Sequence, residues 1–279
     1  AAGSGWIVTD ENKDGFILDY AKLVADREKQ GIVVYDSEAE NYRNSILELD
    51  LTVEESDTEE NDTGYYSVAV LPRLTDGANC EGFAIHDKGH LQQTAMNNGT
   101  ETYTWLREDQ GDFVFGETYH FKFVTEENSM EVFAGRKGEE LRQLASFTTA
   151  NNELGESGYG FRVWRGGKIV RVENIVRTEL SSLKETSQRL SSDRWGAEDV
   201  IIPINLASDD MVAAIINGDS ILNPGEDYTV EGEAITLKAD YIAAQSESFN
   251  LSVSFEGGGS GIFHLIKEDA PEGVGGWVI

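Results

Sequence analysis

The stretch "GFRVW" puts Arg162 and Trp164 two residues apart, and on a strand that spacing means one shared face. Guanidinium forks and flat aromatic rings are the groups that grip sugars, through hydroxyls and against C–H faces respectively. By residue type, Trp105 with Arg107 in "TYTWLRE", Arg73 and the turn residue His86 join this candidate ligand-binding set. A tryptophan taken alone reads as core. The Arg162/Trp164 pair reads differently, because a buried face does not ordinarily carry arginine. An arginine beside a tryptophan also stacks on a solvent edge with no ligand at all, so that alternative stays open.

Acid chemistry has one candidate strand, "SILELDLTV" (45–53), with Glu48, Asp50 and, just beyond it, Glu54. Retaining glycosidases need two carboxyls about 5–5.5 Å apart. Glycoside hydrolases of family 16 carry theirs as Glu-x-Asp-x-Glu, or with one extra residue in a bulge. Here Thr52 stands where the regular spacing needs its second Glu, and Glu54 lies one position past the bulged spacing. The strand also lacks the apolar framing that raises an acid's pKa. Its polar side therefore reads as a solvated face, and no catalytic residue is assigned. "DENKDG" (10–15) opens like a calcium loop, with Asp10, Asn12, Asp14 and Gly15 in place, but Ala21 occupies the twelfth position where a Glu is needed. Such clusters are ordinary turn chemistry too. A plain turn and no cofactor is the expectation, with a structural calcium on Asp10, Asn12 and Asp14 as the alternative. His86 and His90 are four apart, yet "HDKGH" reads as a turn and not as a helix presenting two zinc ligands. Neither a Gly-x-Ser-x-Gly elbow nor a phosphate-binding loop is present.

The elements that must position these residues are strands. Leu47, Leu49, Leu51 and Val53 alternate with Glu48, Asp50 and Thr52, the period-two mark of a half-buried strand. Similar runs cover 64–73, 82–87, 102–108, 119–126, 129–136, 158–166 and 169–180, separated by turns such as "TDGANCEG", "NNGTE", "GRKGEE" and "RGGK". Many strands without a long amphipathic helix predict a β-sandwich over 1–180. Residues 181–195, "SSLKETSQRLSSDRW", are Ser-rich and without alternation, and read as a linker. A second β run follows over 196–269, with "DVIIPINL" (199–206), the hairpin signal Asn217-Gly218, "DYTV" turning through "EGE" into "AITL", and a last hairpin from "FNLSVSF" to "IFHLIKE". Pro203 predicts an edge strand or a bulge. Residues 270–279 read as a tail.

Composition bounds the partners. With 279 residues, 39% hydrophobic and 10% aromatic, the chain can bury two cores and is not disordered as a whole. A net charge of −29 and a pI near 4.3 repel phosphate backbones and anionic lipid, so nucleic acid is not an expected partner. No apolar run approaches the roughly 20 residues of a membrane span, so membrane insertion is not expected either. The single Cys80 forms no internal disulfide and reads as a small core residue. The abrupt ends, "AAGSGW" and "GGWVI", read as a segment of something longer.

"DVIIPINLASDDMVAAIINGDSILNPGEDYTVEGEAITLKADYIAA" with "FNLSVSFEGGGSGIFHLIKED" resembles the X-two type immunoglobulin-like module of bacterial carbohydrate-active enzymes. The carrying residues are the turn at 216–218, Asp227 to Val230, the Ile235–Leu237 strand and Tyr241-Ile242. The N-terminal part resembles concanavalin/laminin-G-like jelly-roll carbohydrate-binding modules, family-66-like, through "GFRVW", the terminal "ENI" strand and "GWIVTDENKDGFILDYAKLVAD". These resemblances imply an all-β chain: a jelly-roll sandwich (1–180), then a small immunoglobulin-like β-sandwich (196–269). They imply a non-catalytic, extracellular or cell-surface accessory segment of a larger secreted bacterial glycan-active enzyme. Its partners would be a carbohydrate ligand and the catalytic domain of the parent chain. A concanavalin-fold glycoside hydrolase using Glu48, and a surface adhesin or structural spacer, are the rival readings.

Overall fold

Alternation of apolar and polar residues builds both halves of the molecule. The computed structural model describes residues 6–8, 16–19, 22–25, 32–36, 39–54, 67–86, 91–107, 113–114, 116–148, 155–164 and 169–268. The chain separates into two units, Ala1–Glu179 and Leu180–Ile279, each with its own core. "DENKDG", with Asp10, Asn12 and Asp14, lies outside the described residues.

The first unit runs through β1 (Trp6–Val8), β2 (Phe16–Asp19), β3 (Lys22–Ala25), β4 (Ile32–Asp36), β5 (Asn44–Glu54), β6 (Ser67–Asp76), β7 (Asn79–His86), β8 (Leu91–Asn97), β9 (Thr100–Arg107), β10 (Thr118–Glu126), β11 (Ser129–Arg136), β12 (Arg142–Thr148), β13 (Gly158–Trp164) and β14 (Ile169–Leu180). These strands form two seven-stranded sheets, ordered β1-β4-β13-β6-β7-β8-β9 and β12-β11-β10-β5-β14-β3-β2. Packed face to face they make a two-sheet β-sandwich around one core. In β10 every second residue is buried, and Phe121 and Phe123 meet Leu47, Leu49 and Phe83 in the core. Phe121 stacks on Phe123 at 5.8 Å and Phe83 leans on both. Sequence reading passes over the short strands β1 to β4, and over β8 and β12, which carry no clean alternation. The β8–β9 hairpin turns through Asn98 and Gly99, both at positive φ (47° and 79°), the backbone a two-residue primed turn requires.

The second unit contains β15 (Ser182–Leu183), β16 (Ser187–Ser191), β17 (Val200–Asn205), β18 (Val212–Asn217), β19 (Ser220–Ile221), β20 (Tyr228–Glu231), β21 (Ala234–Leu237), α1 (Ala239–Ala243), β22 (Phe249–Phe255) and β23 (Ser260–Glu268). Sheets β15-β17-β21-β20 and β16-β23-β22-β18-β19 enclose Ile202, Ile204, Ile215, Ile235, Leu251 and Phe263, an immunoglobulin-like sandwich. The expectation of a linker at 181–195 is corrected. Leu183 and Leu190 are core residues, and β16 pairs in parallel with β23. A lone leucine among serines gives no alternation to read; the strand exists because a distant partner offers an edge. Pro203 is also placed differently. β17 is flanked on both sides, but the two-residue β15 ends opposite Ile204, one residue short of Pro203, whose carbonyl accepts from Lys184 N at 2.9 Å. The missing N–H thus faces the place where the ladder stops. Among the described residues, no helix is long and apolar enough to cross a membrane.

Candidate functional site

Cross-strand register brings most of the predicted residues to one face of the first sheet. The pairs Arg162↔Ala69, Ala69↔Ala84, Ala84↔Gln92 and Gln92↔Trp105 make one continuous row over β13, β6, β7, β8 and β9. The row's middle is floored by small side chains, with Ala69 and Ala84 buried in a cluster with Leu71, Leu74 and Cys80. Above the floor Arg162 donates to Glu101 through Nη1 and Nη2, at 2.5 and 3.2 Å. In a flat sheet, four strand spacings of about 4.8 Å would separate β13 from β9, more than one Arg and one Glu can span. The face is therefore concave, and the ion pair bridges its trough.

Beside the bridge stands an aromatic and amide group. His86 Nε2 and Gln92 Oε1 are 2.8 Å apart, and the His86 ring packs on Trp105 at 4.9 Å. Tyr103, two residues from Trp105 on β9, meets it edge-on at 6.2 Å. Trp105 is 37% exposed and Tyr103 60%, so both rings offer apolar surface to solvent next to fixed polar groups. Trp164 follows Arg162 by two on β13 and pairs with Ser67, which pairs with His86, so its register position belongs to the same face.

Two predicted residues do not join. Arg73 is 4% exposed and donates to Ser129 O at 3.4 Å, inside the sandwich. A bulge between Val70 and Arg73 takes it off the open face, and burial pulls its pKa down against the opposing pull of Glu81 and Glu127. Arg107 pairs with Leu91, a core residue, because the ladder shifts between Leu91 and Gln92. Its register position is not that of Trp105. Two expectations about the residues that do join also change. His86 ends a strand and is buried instead of sitting in a turn. Arg162 is only 8% exposed and tolerable there because Glu101 neutralises it. Sequence reading missed Glu101, Tyr103 and Gln92. The first two were available from alternation in "TETYTW"; Gln92 lies on a strand with no readable pattern. Cys80 lies under the floor as expected, and burial pushes its thiol up to about 12, which keeps it protonated and unreactive.

The carboxylate strand behaves unlike a solvated face. Asp50 is 4% exposed, and its oxygens accept from His120 Nδ1 (2.9 Å), Asn174 Nδ2 (2.7 Å) and Lys137 Nζ (2.8 Å). Burial raises its pKa, but the hydrogen bonds from Lys137, Asn174 and His120 outweigh it and hold the carboxyl below its usual range. Glu48 Oε1 lies 3.4 Å from His120 Nε2, and Thr52 bonds Thr118 across the strand at 2.7 Å. A carboxylate held ionised is the opposite of a general acid. Asp50→Asn is expected to destabilise the first unit by about 1–3 kcal/mol at pH 7. A depressed native pKa stabilises above the unfolded value of roughly 4 and stops doing so as pH falls through the native value. The gap between wild type and variant should therefore close on acidification, as read from urea midpoints at pH 7 and pH 3. Among the described residues, no group of three or more His, Cys, Asp or Glu is arranged to hold a metal.

In the second unit the residues that carry the sequence resemblance lie largely in the turns. Gly218 sits at φ 58° after Asn217, Asp227 accepts from Asn223 N at 2.7 Å, and Tyr241 OH accepts from Asn217 at 2.9 Å. Residues 185–264 match the family model described as carbohydrate binding domain X2. The X2 match starts before β16, in agreement with that strand's place in the second unit. Among solved structures, the chain is similar to the carbohydrate binding module CBM66 from Bacillus subtilis, at 14% identity over 62% of this chain and 94% of that one, TM-score 0.46. It is also similar to the exoplasmic/lumenal domain of VIP36 in a Ca2+/Man-bound form, at 11% identity over 63% and 83%, TM-score 0.45. A tri-modular GH5 endo-beta-1,4-glucanase from Bacillus licheniformis is matched at 22% identity over 34% of this chain and 19% of that one, TM-score 0.30. This chain thus spans about a fifth of the glucanase's length. No curated protein is matched.

Proposed function

We propose that this chain is a non-catalytic carbohydrate-binding segment of a larger secreted bacterial glycan-active enzyme, acting outside the cell or at its surface. The observation that carries the reading is the concave face of the first unit. There two exposed rings, Trp105 and Tyr103, stand beside the His86–Gln92 and Arg162–Glu101 pairs. Apolar platforms bordered by a few fixed polar groups are what small-ligand sites are made of, and exposed aromatic faces suit the C–H surfaces of sugars. The X2 match over 185–264 supports the same role. Two binding modules on one chain would hold a catalytic domain of the parent chain near its polymer, raising its effective concentration there.

The test is a glycan array on the full chain, run with and without chelator, beside a sensitive hydrolysis screen. Glycan capture without turnover is expected. Chelator-dependent capture would assign a structural calcium, for which Asp10, Asn12 and Asp14 remain the proposed ligands. Turnover that disappears in Glu48→Gln would replace the binding reading with the hydrolase. An empty array with a clear protein pull-down would replace it with the adhesin.

A further inference from the structure

A pocket of about 400 Å³ opens in the first unit on β10, β11 and β12, in the sheet opposite the one that carries Arg162 and Trp105. That volume falls within the range of small-molecule sites. We propose that this pocket binds a free α-amino acid with an apolar side chain, held as the zwitterion. The inference goes beyond the carbohydrate reading and uses none of its residues.

Register explains how charge comes to stand over an apolar floor. Tyr119 and Ala134 are core residues, and their ladder partners are Arg136 and Arg142 respectively. Residues opposite each other in a ladder share a face, so both arginines lie on the side of the sheet that elsewhere meets the core. Arginine suits that place, because its stem lies on apolar surface while the guanidinium reaches water. Phe113 and Leu144 complete the floor; both pack against the core, and the Phe113 ring stacks on Phe121 at 5.6 Å. Such a floor takes an aromatic or branched side chain.

The walls are fixed before any ligand arrives. A methyl group built on Gly135 would fall 2.6 Å from the Glu140 carbonyl, so the β11–β12 turn lies directly on its strand. Lys137 N donates to Thr118 O at 2.9 Å and Glu139 N to Arg136 O at 2.8 Å, which pins that turn. On the other side Val114 N donates to the Tyr119 hydroxyl at 2.9 Å, and Glu117 N to Val114 O at 3.2 Å. A site ordered in advance loses little entropy on binding.

The charge of the rim selects the class. Glu139 and Glu140 closely precede Arg142 in the chain and line the same pocket, so the two signs stand side by side. Arg136 Nε lies 2.9 Å from a Glu117 oxygen, which makes Arg142 the counter-charge for a ligand carboxylate. A simple anion would meet Glu139, Glu140 and the field of a chain with net charge −29. A simple cation would meet the arginines. A zwitterion answers both signs and presents no net charge for the field to repel.

The experiment titrates the full chain with L-phenylalanine and L-leucine and follows amide shifts by NMR. Two controls keep the phenyl ring and remove one charge each: 3-phenylpropionate and 2-phenylethylamine. At least one amino acid should move the amides of Gly135, Glu139 and Leu144, and both controls should bind at least tenfold more weakly than L-phenylalanine. Arg142→Gln should weaken amino-acid binding at least fivefold and leave 2-phenylethylamine unweakened. The double change Glu139→Gln with Glu140→Gln should do the same to the amino acid and leave 3-phenylpropionate unweakened. All three positions are exposed, so these variants should keep the unliganded spectrum of the wild type. Val114→Trp, which fills the pocket from a position 47% exposed, should abolish binding. No pocket shift with either amino acid, binding that survives Val114→Trp, or a control that matches L-phenylalanine would each overturn the proposal.

Discussion

Trp105→Ala is expected to weaken glycan binding by the first unit about 10–100-fold while leaving that unit's melting temperature nearly unchanged. Both halves of the expectation follow from where the ring sits. Trp105 is more than a third exposed, so truncation opens no cavity and the core clusters around Phe121 and Phe123 lose nothing. What disappears is the apolar platform. Covering an aromatic side chain contributes roughly 1.5–3 kcal/mol, and every 1.4 kcal/mol is about tenfold in affinity. His86 loses its ring contact at 4.9 Å but keeps Gln92 at 2.8 Å, so the polar half of the site should hold its geometry. Trp105→Phe should accordingly recover part of the loss. Calorimetric titration with the best glycan from the array, set beside scanning calorimetry of each variant, reads both quantities. Unchanged affinity would take Trp105 out of the site. A large fall in melting temperature would make it structural.

The residues that chose themselves by type were mostly brought together, and the reason lies in register. Arg162 and Trp105 come from strands far apart in sequence, yet Ala69, Ala84 and Gln92 join them in one cross-strand row, with His86 in the neighbouring row opposite Ser67. Residue type identified the ends of that row; nothing local in "SVAVLPR" or "GFAIH" announces that they adjoin. The two failures, Arg73 and Arg107, both occur at bulges. A bulge adds one residue to one partner and flips every side chain after it to the other face. It is a property of a pair of strands, so alternation read along a single strand cannot locate it. The same holds for β8, where Gln92, Gln93 and Thr94 are buried by neighbours on both sides and the period-two pattern vanishes. It holds again for β16, whose one core leucine is meaningful only beside β23. By contrast Leu47, Leu49 and Leu51 were legible because one face of β5 meets the core and the other does not. Asp50 marks the limit of that reasoning: its strand face was readable, its burial under Lys137, His120 and Asn174 was not.

The same bulge that hides Arg73 sets the most damaging single change expected in the first unit, Gly82→Ala. Opposite Gly82 the β6 ladder jumps from Val70 to Arg73, and the extra backbone leans over β7. A methyl group built on Gly82 would fall on the carbonyl of Val70 and the Cα of Leu71, both main-chain atoms that cannot turn aside as a side chain could. Relief requires undoing the bulge, and without it the pairing of β6 with β7 past Val70 shifts by a residue. That would turn Leu74, now paired with Cys80, out of its buried cluster. A cost of at least about 3 kcal/mol is expected, a large share of the stability a domain of this size has to lose. Scanning calorimetry should show the first unit's transition lowered or lost while the second, whose core shares no residue with it, melts as before. Glycan capture through Trp105 should fall with the first transition, since β6 and β7 carry the floor of the trough and His86. A Gly82→Ala chain with wild-type melting would mean that β6 passes β7 without the close approach on which the concave face depends.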